Sequence, residues 1–183
     1  MSRFQWQAIV AGVGGQGVLF VTRMLAGAAR TKSGKVLISE VHGMAQRGGS
    51  VVSHLKAGGF ASPLVTAGRA QVLFSLDPGE AIRNLAYLAP QGTLVVNAPG
   101  PDFLSPPGKA ALTRHGIRLI CRDASGLARQ AGAPKAANVV LLAAAAAEGA
   151  LPFSRELVWD ILYQASPPAR REANEKLFQL GAG

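Results

Sequence analysis

The residues best suited to chemistry in this 183-residue chain stand close together near its start. A short apolar run, Ala8 to Ala11, meets a glycine loop, Gly12-Val13-Gly14-Gly15-Gln16-Gly17, and a helix-like segment follows to about Arg30. Glycine at those positions has three uses: Gly12 permits a tight turn, Gly14 lets backbone amides approach a ligand, and Gly17 lets the helix pack closely on the strand. The amides at the start of such a helix, with its dipole, suit an anion such as a phosphate. Gly15 and Gln16 complete the loop. A glycine turn of this kind also occurs with no ligand at all, so it defines a binding candidate and nothing catalytic.

A second stretch follows the apolar run Val36 to Ile38. It reads Glu40-Val41-His42-Gly43-Met44-Ala45-Gln46-Arg47-Gly48-Gly49, a loop that carries Glu40, His42, Gln46 and Arg47 beside three glycines. So dense a polar loop fits a contact with a partner or with an active site. Glu40 also ends the second strand about where a ribose-binding acid sits in an NAD enzyme, which keeps a nicotinamide-binding domain open. The rest of the chain offers no catalytic apparatus. No serine–histidine–acid pattern has a hydrolase's local signature. His42, His54 and His115 are too scattered for a metal, and His54 and His115 read as locally bonded. The ten acids seldom cluster as general acid–base work requires.

The elements that must position these loops alternate between strand and helix. Gln7 to Gly12 lacks alternation, as expected of a strand buried on both faces of a parallel sheet. Ser50 to Lys56 alternates in part and reads as a third strand; Val72 to Leu76 and Thr93 to Asn97 read as a fourth and a fifth. Asp77, with Pro78 behind it, caps a helix to about Leu88. Ala98 to Gly108 reads as a proline-rich surface loop, Lys109 to His115 as a short helix, and Ile117 to Ile120 as the last strand. Asp123 caps a helix through Ala131. From Asn138 the chain is helical, with Phe153 and Ser154 as staple and cap for Arg155 to Tyr163, and a final helix over Arg170 to Leu180. With no repeats and no long linker, residues 1–183 form one domain. The fold expected is a single three-layer, Rossmann-like α/β domain, a mostly parallel sheet with helices on both faces.

Composition narrows the setting. About half the residues (49%) are hydrophobic, which speaks against disorder. The longest apolar stretch, Val139 to Ala147, falls far short of the roughly 20 residues of a membrane span, and no signal-peptide core stands at the start, so a cytoplasmic protein is expected. A lone cysteine, Cys121, cannot hold an iron–sulfur cluster. The net charge is +9, and the first 56 residues hold seven cations against one acid, Glu40. Such a balance suits a phosphate-bearing ligand or an acidic partner. Nucleic acid is not indicated, because the cations are scattered and no aromatics interleave with them.

The literal residues carry a resemblance. Gly12 to Val18, then Glu40-Val41-His42-Gly43-Met44-Ala45-Gln46-Arg47-Gly48-Gly49-Ser50-Val51-Val52-Ser53-His54-Leu55, resemble the gamma-type domain of the 2-oxoacid:ferredoxin oxidoreductases, in particular the beta-subunit branch that serves indolepyruvate. The likeness continues through Ser62-Pro63-Leu64, Leu76-Asp77-Pro78-Gly79-Glu80-Ala81, Asn97, Asn138 and Glu172 to Gly181, essentially the whole chain. It implies a small subunit that is inactive alone. A large alpha subunit would carry thiamine diphosphate with Mg²⁺ and the [4Fe–4S] clusters, and would pass electrons to ferredoxin. The reaction implied is oxidative decarboxylation of an arylpyruvate with coenzyme A to an acyl-CoA. In pyruvate-type relatives the glycine loop helps hold coenzyme A, which makes Gly12, Gly14, Gly15, Gln16 and Gly17 the candidate contacts here. Arg23 falls at the place of a phosphate-facing lysine, while Gln16 and Val18 replace an acid and a threonine. The resemblance also moves Glu40 from ribose binding to a contact within the Arg47 loop. Two readings stand beside it: an NAD-binding domain of another oxidoreductase, and a non-catalytic assembly subunit.

Overall fold

Trp6–Val13 (β1) takes the place that an apolar run without alternation demands, inside the sheet. A computed structural model describes residues 4–43 and 48–183. Six strands line up in the order β2-β3-β1-β4-β5-β6. They are β1, β2 (Val36–His42), β3 (Ser50–Ala57), β4 (Ala70–Ser75), β5 (Leu88–Asn97) and β6 (Arg118–Arg122). β1, β4, β5 and β6 run parallel, whereas β3 pairs antiparallel with both β1 and β2. The sheet is therefore mostly parallel, with one reversed strand set between β1 and the edge strand β2.

Helices cover both faces. On one side lie α1 (Val18–Lys32), α4 (Ala124–Gln130), α5 (Ala137–Ala147), α6 (Arg155–Ala165) and α7 (Pro168–Ala182). They bury Val10, Leu25, Phe74, Leu142, Leu162 and Phe178 in one core. On the other side α2 (Pro78–Asn84) and α3 (Pro106–Arg114) cover a smaller core around Ile9, Leu73, Leu94 and Leu112. The alanine run in α5 lets α7 come very near: a Cβ on Gly181 would collide with the Val140 carbonyl oxygen. The expected three-layer α/β fold is present.

Several boundaries move, each for a local reason. β2 extends to His42, so Glu40 lies within the strand and not in a loop, held there by its pairing with Ser53. β5 starts at Leu88 rather than Thr93, because Leu88 already pairs with Ala70 before the register shifts at an irregularity in the strand, where Gln91 takes φ 62°. α3 starts at Pro106 rather than Lys109: Ser105 caps it by accepting from Gly108 N, and prolines are tolerated in a first turn. Asp77 caps α2 as its sequence predicts, accepting from the amides of Gly79 (2.8 Å) and Glu80 (3.0 Å). Such a cap stabilises a helix by about 1 kcal/mol.

Candidate functional site

β1 ends in the glycine loop, and the loop is closed from within by Gln16. Its side-chain oxygen accepts from Val13 N at 2.7 Å, while its own amide donates to Val13 O at 3.1 Å. Gly17 then takes φ 91° as the N-cap of α1, and no side chain caps that helix. The left-handed backbone favours glycine, and a Cβ there would also collide with the Asn138 side chain at the start of α5. The first-turn amides of α1 are thus left for something else to satisfy. Beside them opens a cavity of about 340 Å³, lined by Val13, Gly14, Gly15, Gly17, Val18 and Val51.

Val51 belongs to the second loop's return strand, and the reversed course of β3 explains its presence. Because β3 pairs antiparallel with β1, Ser50 at its start sits opposite Val13 at the end of β1. Two backbone bonds tie the loops there: Gly14 N donates to Gly49 O at 2.9 Å, and Gly43 N donates to Ser50 O at 2.8 Å. Gly48 and Gly49 are therefore brought onto the glycine loop. Gln46 and Arg47 lie outside the described residues, as does the His42 side chain, and so does the proposed contact of Glu40 with the Arg47 loop. Glu40 itself is exposed on β2, with β3 between it and β1. Strands stand ~4.8 Å apart, so Glu40 lies two strand spacings, about 10 Å, from the strand that feeds the glycine loop. A ribose-binding acid stands on a strand adjacent to β1 in the NAD folds, so this topology disfavours that use of Glu40. Arg23 is exposed on α1 and stands outside the cavity lining; among the described residues it forms no ion pair.

Glu80 belongs to the Leu76 to Ala81 stretch, and its role becomes visible only in the fold. It is 1% exposed in the first turn of α2. Ser50 Oγ donates to its Oε2 at 2.7 Å, and Arg83 pairs with its Oε1. The buried carboxylate thus anchors the residue where the second loop rejoins the sheet. The signal available in the sequence was an acid directly behind the Asp77-Pro78-Gly79 cap. His54 is locally bonded, as expected: its Nδ1 accepts from Val65 N at 3.1 Å, and its ring stands perpendicular to that of Tyr87. Burial, with help from Lys56, lowers its pKa. Burial raises the Cys121 thiol, which makes it a poor nucleophile. Among the described residues no three metal-ligating side chains converge, and no helix is long and apolar enough to cross a membrane.

Fold and loops together define an α/β domain that presents two glycine-rich loops, tied to each other, at the carboxyl end of its first strand. Residues 7–183 match the family described as pyruvate ferredoxin/flavodoxin oxidoreductase. Indolepyruvate oxidoreductase subunit IorB of Thermococcus kodakarensis is 33% identical, over 97% of this chain and 94% of that protein. The subunit of the same name from Archaeoglobus fulgidus is 32% identical, over 94% and 92%. Among solved structures, the gamma subunit of the keto/oxoacid ferredoxin oxidoreductase of Geobacter sulfurreducens superposes with a TM-score of 0.70 at 25% identity, over 97% of this chain and 96% of that one. A 2-oxoglutarate:ferredoxin oxidoreductase chain from Magnetococcus marinus, solved with 2-oxoglutarate, coenzyme A and succinyl-CoA bound, gives 0.74 at 18% identity. There the match covers 97% of this chain and 30% of the larger one, so it speaks to fold alone. The chain belongs to the pyruvate ferredoxin/flavodoxin oxidoreductase family. Within it, the chain is a small subunit of the 2-oxoacid:ferredoxin oxidoreductase type.

Proposed function

We propose that this small subunit serves an indolepyruvate-type 2-oxoacid:ferredoxin oxidoreductase by supplying part of the coenzyme A site and by docking on a large subunit. The large subunit holds thiamine diphosphate, Mg²⁺ and the [4Fe–4S] clusters, and the complex works in the cytoplasm. The overall reaction consumes an arylpyruvate, coenzyme A and two oxidised ferredoxins. It yields an aryl-acetyl-CoA, CO₂, a proton and two reduced ferredoxins. The single observation that carries this reading is the Gly14 N to Gly49 O bond beside the cavity at the uncapped start of α1. That geometry offers backbone amides to a phosphate and sets the second loop over the same opening. Gly12, Gly14, Gly15 and Gly17 shape the cradle, and Gln16 holds it closed. Arg23, exposed further along α1, meets a phosphate once the complex is assembled.

The test is steady-state kinetics on the assembled complex. A charge-assisted phosphate contact contributes about 1.5–3 kcal/mol, or roughly ten- to a hundredfold in affinity. Arg23→Glu should raise the KM for coenzyme A at least about tenfold and leave the 2-oxoacid KM unmoved. Unchanged constants would remove Arg23 from the site, and equal losses for both substrates would mean impaired docking instead.

A further inference from the structure

The two edges of the sheet are built differently. β6 ends it on one side with five residues, and Arg118 and Arg122 on that strand both pair with Glu148. Charged side chains of this kind discourage an edge from taking another strand. β2 ends the sheet on the other side with seven residues, Val36 to His42, paired to β3 in an unbroken register. From Val36 to Val41 it carries no lysine, arginine or proline, and Glu40 is its one charged side chain. Two large apolar residues are left open on it. Ile38, paired with Leu55 of the α1-side core, is 38% exposed. Val41, paired with Val52 on the α2 side, is 50% exposed.

The ladder between β2 and β3 fixes which backbone groups point outward. Gly43 N donates to Ser50 O at 2.8 Å, and Gly58 N donates to Lys35 O at 2.9 Å. Bonded pairs alternate along an antiparallel ladder, so the odd-numbered residues from Lys35 to Gly43 face β3. Val36, Ile38, Glu40 and His42 turn their N–H and C=O groups away from the sheet. That row fits a second copy of β2 by symmetry. Outward residues must meet outward residues, and only the antiparallel register that sets Ser39 against Ser39 of the second copy pairs all seven. Val36 then bonds with His42, and Ile38 with Glu40, each twice about the two-fold axis. On the α2 side Leu37 stands against Val41, again twice, in the non-bonded pairs whose side chains come nearest. The exposed Val41 is thereby covered by the same strand that carries it. β2 is self-complementary about Ser39, as an isologous contact requires, whereas a strand of a different protein would need no such pattern. Although the chain carries +9, the contact brings no cations together.

We propose that β2 pairs with β2 of a second small subunit, joining two six-stranded sheets into one across a two-fold axis at Ser39. The small subunits of the assembled enzyme are then a pair. An antiparallel junction points β1 of the two copies in opposite directions. The two glycine loops therefore open at opposite ends of the joint sheet, and each faces its own large subunit without crowding the other. The inference does not depend on the coenzyme A reading.

A cysteine at the axis supplies the test, because in this register residue 39 alone meets itself. Cα atoms of non-bonded antiparallel partners lie ~4.5 Å apart, within the range that a disulfide spans. Cys121, the single cysteine of the chain, is replaced by serine in every variant. Complexes with the large subunit that carry Ser39→Cys, Leu37→Cys or Ser39→Cys/Ile38→Pro are oxidised mildly. Non-reducing denaturing electrophoresis, blotted for the small subunit, reads the fraction linked to a second copy. Ile38→Pro removes one outward N–H and leaves the bonds to β3 in place. Ser39→Cys should link about half of the small subunit or more, at least about fivefold above Leu37→Cys and above the proline variant. Absence of linkage through Ser39→Cys overturns the proposal. Linkage of Ser39→Cys to the large subunit also overturns it and assigns the edge to that partner. Equal linkage through Leu37→Cys, or linkage that survives Ile38→Pro, marks chance collision in place of strand pairing and overturns it as well.

Discussion

Gly17 and Asn138 stand far apart in the chain, and together they fix the geometry at the start of α1. Gly17 needs its left-handed φ of 91°, and the Asn138 side chain fills the space a Cβ would occupy. The glycines of this loop were legible in the sequence because their spacing has a mechanical meaning. The role of Asn138 was not, since nothing local says which distant residue closes over Gly17. Gln16 is a candidate ligand contact from its place in the loop; in the fold its side-chain oxygen accepts from Val13 N. Gly17→Ala should destabilise the folded chain by about 1–3 kcal/mol in denaturant unfolding, from backbone strain and the collision together. Asn138→Ala in that background should recover part of the loss, because the collision goes while the strained φ stays. Full recovery would show that backbone strain contributes nothing.

His54 gives a pH dependence at the same scale. Its pKa lies below the ordinary 6.5, first because burial disfavours the imidazolium and second because Lys56 repels it. The folded state thus binds fewer protons than the unfolded one as pH drops under the unfolded value. Its contribution to stability is complete above about pH 6.5 and is lost as the pH falls toward the folded pKa. The melting temperature should decline over that window. His54→Asn keeps an acceptor for Val65 N without the titration, and should flatten the decline; an identical slope in the variant would rule His54 out as its source.

Among the elements, β3 is the one whose placement decides the site. Partial alternation over Ser50 to Lys56 marked it as a strand, and its apolar–polar pattern fits an antiparallel partner. Strand order was not legible. Helical crossovers in a βαβ unit make β2 the expected neighbour of β1, yet β3 takes that position and carries Gly49 back onto Gly14. Glu80 secures the junction from α2, and its chemistry is that of a buried anion with two partners. Arg83 is 70% exposed, so its side of the pair is screened and contributes little. The Ser50 bond is the better protected one. Ser50→Ala should cost about 1–3 kcal/mol by leaving a buried carboxylate oxygen unpaired. Glu80→Gln can still accept from Ser50 and should cost less. A thermal denaturation series compares them, and a larger loss for Glu80→Gln than for Ser50→Ala would place the anchoring elsewhere.

For the whole molecule, charge makes the broadest claim. Nineteen basic residues face ten acidic ones for a net charge of +9, and the described ion pairs leave many cations exposed. Sequence alone showed this excess but not its arrangement: Lys135 and Arg170 line one depression only because α5 and α7 begin side by side. A surface of this sign accelerates encounter with an acidic partner, an effect that salt screens over a Debye length of roughly 10 Å at 0.1 M and 3 Å at 1 M. Screening acts mainly on the rate of association, whereas dissociation follows short-range packing. Under the proposed assembly, association of this chain with the large subunit should slow at least about tenfold between 0.05 and 0.5 M salt, with the dissociation rate little changed. Stopped-flow fluorescence on the two separately purified subunits reads both rates. The first-half cations supply a control: Arg30→Gln/Lys35→Gln lowers the charge at exposed positions outside the glycine-loop cavity and the depression at Lys135 and Arg170. That variant should associate more slowly at low salt and match the wild type at high salt. A salt-independent association rate would mean that the charge serves the phosphates of the ligand and not the meeting of the subunits.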